Sequence, residues 1–484
     1  MSLDIRSLRL TRKLRQQDIA AYLDVSGYQI RKWERGLELP PEKVLHALAG
    51  LLDVKYEEFK RAVARFHKIK TPGEGYTTAQ PASRGIVSCH KEKPKGKLHV
   101  LDLFCGCGGL SYGLEWTNKF ITVCGIDLLP DRIDSFLLNH GYAEGIYGDV
   151  RDLDLDNLID IAGNIDVLVG GPPCQGFSSV RPFRALTEND RRNSLAEEYI
   201  LFVGKFKPSW FVFENVVGML NHRNGGVLTS LLDRLSEMGY KISWKVINAA
   251  LYGVPQSRER LLIVGNRLDI EFKWPAPTHK MDYRSMAGKR PEVIQTLPIF
   301  SQDLPDAVTV SEAISDLPPV HAGQENNHYS APPRTEYQKL IRRENSELDL
   351  HRATNHSRKM LEIIKHAGPN ISSIPRHLIS SGFSSCYSRL DADKPSTTLT
   401  VNFVHPASNR CIHPTQDRAL TLREGARLQS FPDDFKFAGN IAQIAKQIGN
   451  AVPPLLAKAI GEAIHASHAR STTHPDNLGE AAIS

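Results

Sequence analysis

Short apolar runs that each end at a polar residue or a glycine recur along the chain from about residue 98. They are Leu98–Phe104, Ile121–Ile126, Ile165–Val169, Trp210–Phe213 and Leu261–Gly265. Their length and their content of branched and aromatic residues are typical of buried parallel strands. Helices fit between them, beginning with one from about Leu110. This alternation predicts an α/β fold built on a mostly parallel sheet.

The first 65 residues instead place apolar positions at helical spacing. The pattern predicts four short helices, Leu3–Arg12, Gln16–Leu23, Gly27–Arg35 and Val44–Leu52. In the third helix Ile30 and Trp33 face inward, and the outward side chains, which we expect to contact DNA, are Tyr28, Gln29, Arg31 and Lys32. Two short helices around a turn, the second carrying such side chains, are typical of a helix-turn-helix reader of the major groove.

The distribution of charge along the chain also favours a DNA-binding role for these helices. The 484 residues carry a net charge of +6, and residues 1–70 hold 15 Lys and Arg against 9 Asp and Glu. The basic excess therefore lies at the amino-terminal end, which favours a polyanionic partner over a helical bundle that only packs on its neighbour. Residues 66–97 are rich in Pro, Gly, Ser, Thr and Lys, and we expect them to form a linker.

Composition excludes several classes of protein. With 41% apolar and 24% charged residues the chain is typical of soluble globular proteins. No apolar stretch approaches ~18 residues and the first ten residues lack a signal-peptide core, so we predict a cytoplasmic protein without a membrane segment. The seven cysteines show no paired spacing, which predicts neither a disulfide framework nor a metal site.

The segment Gly170–Ser179 (GGPPCQGFSS) directly follows the run Ile165–Val169. Pro172 and Pro173 end the strand and stiffen the chain, so Cys174 leaves the carboxyl end of a strand in a defined direction. Because chemistry in open α/β sheets collects at this edge, Cys174 is a candidate nucleophile. The alternative is a buried structural cysteine. The polar residues 181–193 are expected to form a loop over the site.

Other strand ends carry glycines or carboxylates. Gly106 and Gly108 follow the first strand, where a bare backbone can approach NAD, a flavin or S-adenosylmethionine; the alternative is a plain tight turn. Asp127 ends the next strand and suits ribose hydroxyls, and Asp149 suits an exocyclic amine such as that of adenine. Either aspartate alone is as readily explained as a helix cap.

Glu214 and Asn215 end the apolar run Trp210–Phe213. A carboxyl group in that position is either half-buried with a raised pKa, and hence a proton donor, or a partner in a salt bridge.

Seven motifs, in this order, resemble the motif set of the DNA (cytosine-5)-methyltransferases: DLFCGCGG, GDV, GGPPCQGFSS, FENVVGML, PQSRERLLIVG, EGARLQSFPDDF and QIGNAVPP. The resemblance covers about residues 98–464, apart from a divergent middle. The stretch QQDIAAYLDVSGYQIRKWERGLELPP is similar to the Cro/repressor family.

The resemblance implies an α/β fold with a Rossmann-like methyltransferase domain over residues 98–268 and 407–466. A small target recognition domain is inserted at 269–406, and an all-α helix-turn-helix domain occupies 1–65. The tail, 467–484, is expected to be disordered.

By the same resemblance, Cys174 adds to cytosine C6, Glu214 hydrogen-bonds or protonates N3, and Arg260 contacts O2, with Arg258 as a second candidate. The residues expected to bind S-adenosylmethionine are Phe104, Gly106, Gly108, Asp127, Asp149, Pro172, Asn450 and Val452.

The expected partner is double-stranded DNA, bound by a monomer for methylation and by a dimer on an operator. A cognate restriction endonuclease is the expected functional partner, and the amino-terminal domain is expected to regulate transcription of its own gene.

Two other classes compete with this interpretation. A zinc-dependent cytosine deaminase needs HxE followed by PCxxC. His90-Lys91-Glu92 supplies the first element, but position 177 is Phe177 rather than a cysteine. A repressor whose methyltransferase body has decayed is the other alternative, and it conflicts with the presence of Cys174, Glu214 and Arg260.

Overall fold

The structure is a computed structural model that describes residues 5–12, 14–23, 25, 27–34, 39–60, 63, 85–87, 94, 96–173, 195–220, 225–282, 285, 303–344, 347–379 and 382–473. The chain divides after Ser83 into two compact units. No helix in these ranges is long and apolar enough to cross a membrane.

The amino-terminal unit contains the four predicted helices, at Ile5–Thr11, Gln16–Tyr22, Gly27–Glu34 and Glu42–Leu51. Its core confirms the predicted inward face of the third helix, because Ile30 is fully buried and Trp33 is 3% exposed. Gln29 is partly exposed. The side chains of Tyr28, Arg31 and Lys32 lie outside what the structure describes.

A buried ion pair joins the first and third helices of this unit. Arg9 Nε donates to Glu34 Oε1, and the two side chains are 11% and 3% exposed. From the second helix, Gln16 Nε2 donates to Glu34 Oε2 at 2.6 Å. Three helices thus share one carboxylate. Losing one partner would leave a buried charge unpaired, which costs about 3–5 kcal/mol.

The larger unit is built on an eight-stranded sheet of β1 Gly85–Val87, β2 Leu98–Leu103, β3 Phe120–Asp127, β4 Glu144–Tyr147, β5 Val167–Gly170, β6 Trp210–Val216, β7 Lys241–Asn248 and β9 Glu259–Asn266, in the spatial order β1-β4-β3-β2-β5-β6-β9-β7. The pairs from β4 to β6 are parallel, whereas β1, β9 and β7 pair antiparallel with their neighbours. This confirms the predicted strands and the α/β class.

The sheet is buried on both faces. On β5 all four residues are buried, as are the first six of the seven residues on β6. The helices that belong with this sheet are Gly109–Glu115, Pro130–Asn139, Leu155–Ala162, Leu195–Phe206, Gly226–Glu237 and Pro454–Thr473. Two separate hydrophobic clusters include residues from alternate positions of β2, β5 and β6, which is the pattern of a sheet covered on both faces.

Strand order reverses between β2 and β5, because the chain builds outward from β2 through β3 and β4 before it returns to add β5 and β6. The carboxyl ends of β2 and β5 therefore bound a crevice. A ligand site is expected at such a switch point.

The described remainder of the unit is mostly irregular, with short helices at Val310–Ile314, Glu336–Arg342, Arg358–Lys365, Leu422–Leu428 and Ile441–Asn450 and 3-10 turns at Ile371–Ser373 and Arg376–Leu378. A two-stranded parallel ladder joins β8 Gln256–Ser257 to β10 Ser396–Thr397. Val310, Phe403, Leu420 and Ile448 lie in one hydrophobic cluster. The packing thus shows no break at the predicted boundary near residue 406.

Two predictions about irregular segments were wrong in part. Within the expected linker, β1 pairs with the edge of β4, Ile86 opposite Ile146, and so covers backbone groups that would otherwise be unpaired. Within the expected tail, the last helix continues to Thr473. It persists because Ile464 and Ser467 are fully buried and Trp210 Nε1 donates to His468 Nδ1 at 3.3 Å.

That last helix lies directly on the helix Gly109–Glu115. A Cβ at Gly113 would be 2.3 Å from the Pro454 carbonyl oxygen, and one at Gly461 would be 2.8 Å from Leu114. Glycine at both positions permits this close approach.

Candidate active site

A cavity of about 450 Å³ opens at the switch point between β2 and β5. The strand ends contribute Asp102, Phe104, Asp127, Asp149, Gly171, Pro172, Pro173, Glu214 and Asn215; β9 and the preceding turn contribute Arg258 and Arg260; and the carboxyl-terminal part contributes Gln447, Gly449, Asn450, Ala451 and Val452. One cavity therefore gathers most of the predicted site residues.

The turn after β2 has an unusual backbone. Phe104, Gly106 and Gly108 have φ angles of 61°, 55° and 90°. For a non-glycine residue such as Phe104 this conformation costs about 1–3 kcal/mol and is found mainly at functional sites. The turn is tightly enclosed, since a Cβ at Gly109 would be 2.5 Å from the Val452 carbonyl oxygen.

Asp127 is fixed by this turn. Its carboxylate accepts from the Gly106 N–H at 3.0 Å and from the Leu129 N–H at 3.1 Å. Burial raises the pKa of the Asp127 carboxyl group above its usual range. The carboxylate thus orients the glycine turn, and it also lines the cavity.

Asp149 caps the 3-10 turn Val150–Asp152 by accepting from the Arg151 N–H at 3.1 Å. Its carboxylate also pairs with the Arg151 guanidinium, whose Nε lies 2.8 Å away. The helix-cap alternative is therefore correct for Asp149, and its position on the cavity wall leaves the predicted ligand role open as a proposal.

Glu214 forms a salt bridge with Arg260. Arg260 Nε lies 2.8 Å from Glu214 Oε1, and the side chains are 11% and 12% exposed. The register of β6 and β9 pairs Glu214 with Leu262 and Val216 with Arg260, so the two charges are diagonal neighbours on one face. The sequence left two alternatives for Glu214, a half-buried proton donor and a partner in a salt bridge. The structure contains the salt bridge.

Gly171 makes room for this pair. A Cβ at position 171 would be 2.8 Å from Glu214 Oε2. Asn215 Nδ2 donates to the Pro172 carbonyl oxygen at 3.3 Å, which ties the end of β6 to the segment that leads into Cys174. Cys174 and the loop 181–193 lie outside the described residues, and Pro173 is the last described residue before them.

Arg258 makes buried contacts within the chain that the sequence did not predict. It is 1% exposed, and its Nη2 donates to the carbonyl oxygens of Gly449 at 3.2 Å and Ala451 at 3.0 Å. These bonds hold the loop that brings Asn450 and Val452 to the cavity. They give Arg258 a structural role, and its contact with a base stays a prediction.

Sequence reasoning missed Leu128 and Asp102. Leu128 lines the cavity although its side chain is 60% exposed, and it follows Asp127 where the strand has already ended. Asp102 is 1% exposed in strand β2, between the fully buried Leu101 and Leu103. A charged residue inside a buried strand was the signal that could have identified Asp102.

Residues 98–466 match the family of C-5 cytosine-specific DNA methylases, and residues 5–59 match a helix-turn-helix family. The Type II methyltransferase M1.HphI of Haemophilus parahaemolyticus is 34% identical over 373 residues, covering 76% of this chain and 86% of that protein. M.DdeI of Desulfomicrobium norvegicum is 33% identical over 395 residues, covering 76% and 88%.

A crystal structure from E. coli, described as a candidate DNA modification methyltransferase encoded within a prophage, superimposes with a TM-score of 0.60 at 25% identity and covers 77% of this chain and 100% of that one. The motifs, the fold and these matches agree: the chain belongs to the C-5 cytosine-specific DNA methylase family and is a DNA (cytosine-5)-methyltransferase with an amino-terminal helix-turn-helix domain.

Proposed function

We propose that the protein transfers a methyl group from S-adenosylmethionine to C5 of cytosine within a specific duplex sequence. One observation carries the proposal: a single cavity is lined both by the glycine turn with Asp127 and Asp149 and by the Glu214–Arg260 pair. Such a cavity suits a cofactor and a reacting base that must meet.

The lining fits the cofactor chemically. Carboxylates at Asp127 and Asp149 suit a ribose diol and an adenine amine, and the exposed Leu128 offers an apolar surface for a flat ring. A volume of about 450 Å³ lies within the usual range for small-molecule sites. The predicted set of Phe104, Gly106, Gly108, Pro172, Asn450 and Val452 would complete the site. S-adenosylmethionine supplies an electrophilic methyl group when bound.

The chain's residues would then activate the base. Cytosine inside a duplex is out of reach, so it must be flipped out at a cost of a few kcal/mol. The Cys174 sulfur adds to C6, which breaks the C5–C6 double bond while Glu214 donates a hydrogen bond or a proton at N3. Arg260 holds the Glu214 carboxyl group and anchors O2 of the base. After C5 is methylated it loses its proton, and the sulfur leaves C6.

Covalent trapping tests this assignment. Oligonucleotides with 5-fluorocytosine at the target should form a stable adduct with the wild-type protein and S-adenosylmethionine, because fluorine cannot leave as the C5 proton does. Cys174→Ser should form none and should lose methylation while it keeps DNA binding, whereas Cys89→Ser should behave as wild type. An adduct with Cys174→Ser, or none with the active wild type, would refute the role of Cys174.

The two relatives described above are Type II methyltransferases. We infer that this protein likewise protects host DNA, as a cytoplasmic monomer, from a cognate restriction endonuclease that is its functional partner. Residues 269–406 would select the methylated sequence, because a site that contacts only the flipped cytosine cannot read the neighbouring bases.

The helix-turn-helix unit is proposed to regulate transcription of its own gene. One recognition helix reads only a few base pairs, so useful specificity calls for two copies on a palindromic operator. In the full-length chain, Gln29→Ala with Arg31→Ala should abolish a footprint upstream of the gene and leave methylation unchanged. Lys43→Ala, which removes an exposed charge from the fourth helix, should keep the footprint. Equal loss of methylation in the double variant would contradict a separate regulatory role.

A further inference from the structure

Four polar side chains form a continuous hydrogen-bonded row beneath the glycine turn. Ser111 Oγ lies 2.6 Å from Asp102 Oδ2 and 3.3 Å from His140 Nε2, and His140 Nδ1 lies 3.0 Å from Glu115 Oε2. Asp102, Ser111 and His140 are at most 1% exposed. One end of the row, Asp102, lines the cavity.

The imidazole of His140 is held in place by its neighbours. A Cβ at Gly108 would be 2.4 Å from His140 Nε2, so the imidazole directly supports the turn. The Phe136 ring packs at 4.4 Å from the imidazole, and the Tyr112 ring meets it edge-on at 6.1 Å. His140 therefore has little freedom to rotate away from its two hydrogen-bond partners.

Glu115 fixes one proton of the imidazole. Burial opposes its charge, but the neighbouring His140 and the Thr122 N–H, which donates to Oε1 at 2.6 Å, together lower the pKa of Glu115. An ionised carboxylate only accepts hydrogen bonds. His140 Nδ1 must therefore carry a proton and donate a hydrogen bond to Glu115.

Two arrangements of the other protons satisfy every group. In one, Asp102 is ionised, Ser111 donates to it, and a positively charged His140 donates from Nε2 to Ser111. In the other, a protonated Asp102 donates to Ser111 Oγ and Ser111 donates to Nε2 of a neutral His140. They differ by one proton passed along the row: the Asp102 proton moves to Ser111 as the Ser111 proton moves to His140.

We propose that His140 is a positioning residue that takes up the Asp102 proton through Ser111 when a cation binds in the cavity, so that the site gains a negative charge without exchanging a proton with solvent. This inference rests on the proposed function, since S-adenosylmethionine is the cation. Burial raises the pKa of Asp102 to about 7, which leaves its ionised and protonated forms close in free energy near neutral pH.

The other titratable groups around Asp102 are Asp127, Cys105, Cys107, Tyr199 and, on the cavity wall, Arg132. Burial raises the pKa values of both thiols and of the Tyr199 hydroxyl, so these three stay neutral near pH ~7. Asp127 keeps its two backbone hydrogen bonds in either arrangement. None of these groups belongs to the row.

Calorimetry in phosphate and Tris buffers at the same near-neutral pH tests the relay, because the heat of binding differs between buffers in proportion to the protons released. Full-length His140→Gln and Ser111→Ala should each release more protons than wild type, up to one per site, when S-adenosylmethionine binds, since Asp102 then has no internal acceptor. The cofactor's own amino group contributes equally to all variants. Asp102→Asn should release no more than wild type.

Two controls separate the explanations. His351→Gln removes another fully buried imidazole and should match wild type. The neutral ligand 5′-methylthioadenosine should release no extra proton from any variant. If His140→Gln and Ser111→Ala, folded by circular dichroism, bind the cofactor with the wild-type proton count, the relay is refuted. If wild type itself fails to bind S-adenosylmethionine, the proposed function fails instead.

Discussion

Replacing Arg260 by methionine would leave the Glu214 carboxylate without its partner. Methionine keeps an unbranched apolar stem, but a charge that is 12% exposed loses the guanidinium 2.8 Å away. Breaking a buried pair by removing one partner costs about 3–5 kcal/mol. Because both side chains keep some exposure, we expect the lower end, about 3 kcal/mol. With an unfolding entropy of roughly 2.1 cal/mol/K per residue, this lowers the Tm of the larger unit by roughly 4 °C.

The double variant Glu214→Gln/Arg260→Met should recover most of that loss, because no charge is left buried alone. Circular dichroism melts of wild type, both single variants and the double variant give the coupling between the two positions. Methylation, measured with labelled cofactor, should be absent from Arg260→Met and from the double variant alike. A double variant that is less stable than Arg260→Met, or a Tm for Arg260→Met within 1 °C (roughly 1 kcal/mol) of wild type, would refute the buried-pair reasoning.

Two further predictions concern the part of the larger unit that follows β9. Burial lowers the pKa of His413 to about 4 from 6.5, so between these values only the unfolded chain takes up the proton and stability falls as pH falls. Wild type should lose about 2 kcal/mol more than His413→Asn between pH ~6.5 and ~5, measured as Tm against pH; parallel curves would contradict this. Exchanging residues 269–406, with matching core residues in 411–448, for those of a relative with another specificity should transfer that specificity in bisulfite sequencing. An active chimera that methylates the original sites would show that recognition lies elsewhere.

The sequence predicted the strands well because each is a compact apolar run, and the carboxyl ends of parallel strands meet at one edge. Asp127, Glu214 and Gly106 could thus be assigned to one site from the sequence. The antiparallel return of β9 brings Arg260 beside Glu214, and its register depends on pairing that no local pattern encodes.

Contacts between distant segments could not be predicted from the sequence for the same reason. Arg258 was grouped with Arg260 because the two lie two residues apart in one motif, a spacing that puts both side chains on one face only within a regular strand. Arg258 lies between β8 and β9 instead, and its guanidinium donates to the carbonyl oxygens of Gly449 and Ala451. The helix that ends at Thr473 was missed because its last turns are rich in Ser, His and Thr, whose burial depends on Trp210 and on the helix Gly109–Glu115.

The close packing of the last helix on the helix after the glycine turn has a consequence for protein synthesis. The cavity takes part of its wall from Gly449–Val452, so a growing chain cannot enclose it until those residues have left the ribosome. The core of the amino-terminal unit is complete at Val63. At about 5–20 residues per second, the intervening stretch of roughly 390 residues takes roughly 20–80 s to make. Every new molecule therefore finishes its helix-turn-helix unit tens of seconds before it finishes its catalytic cavity.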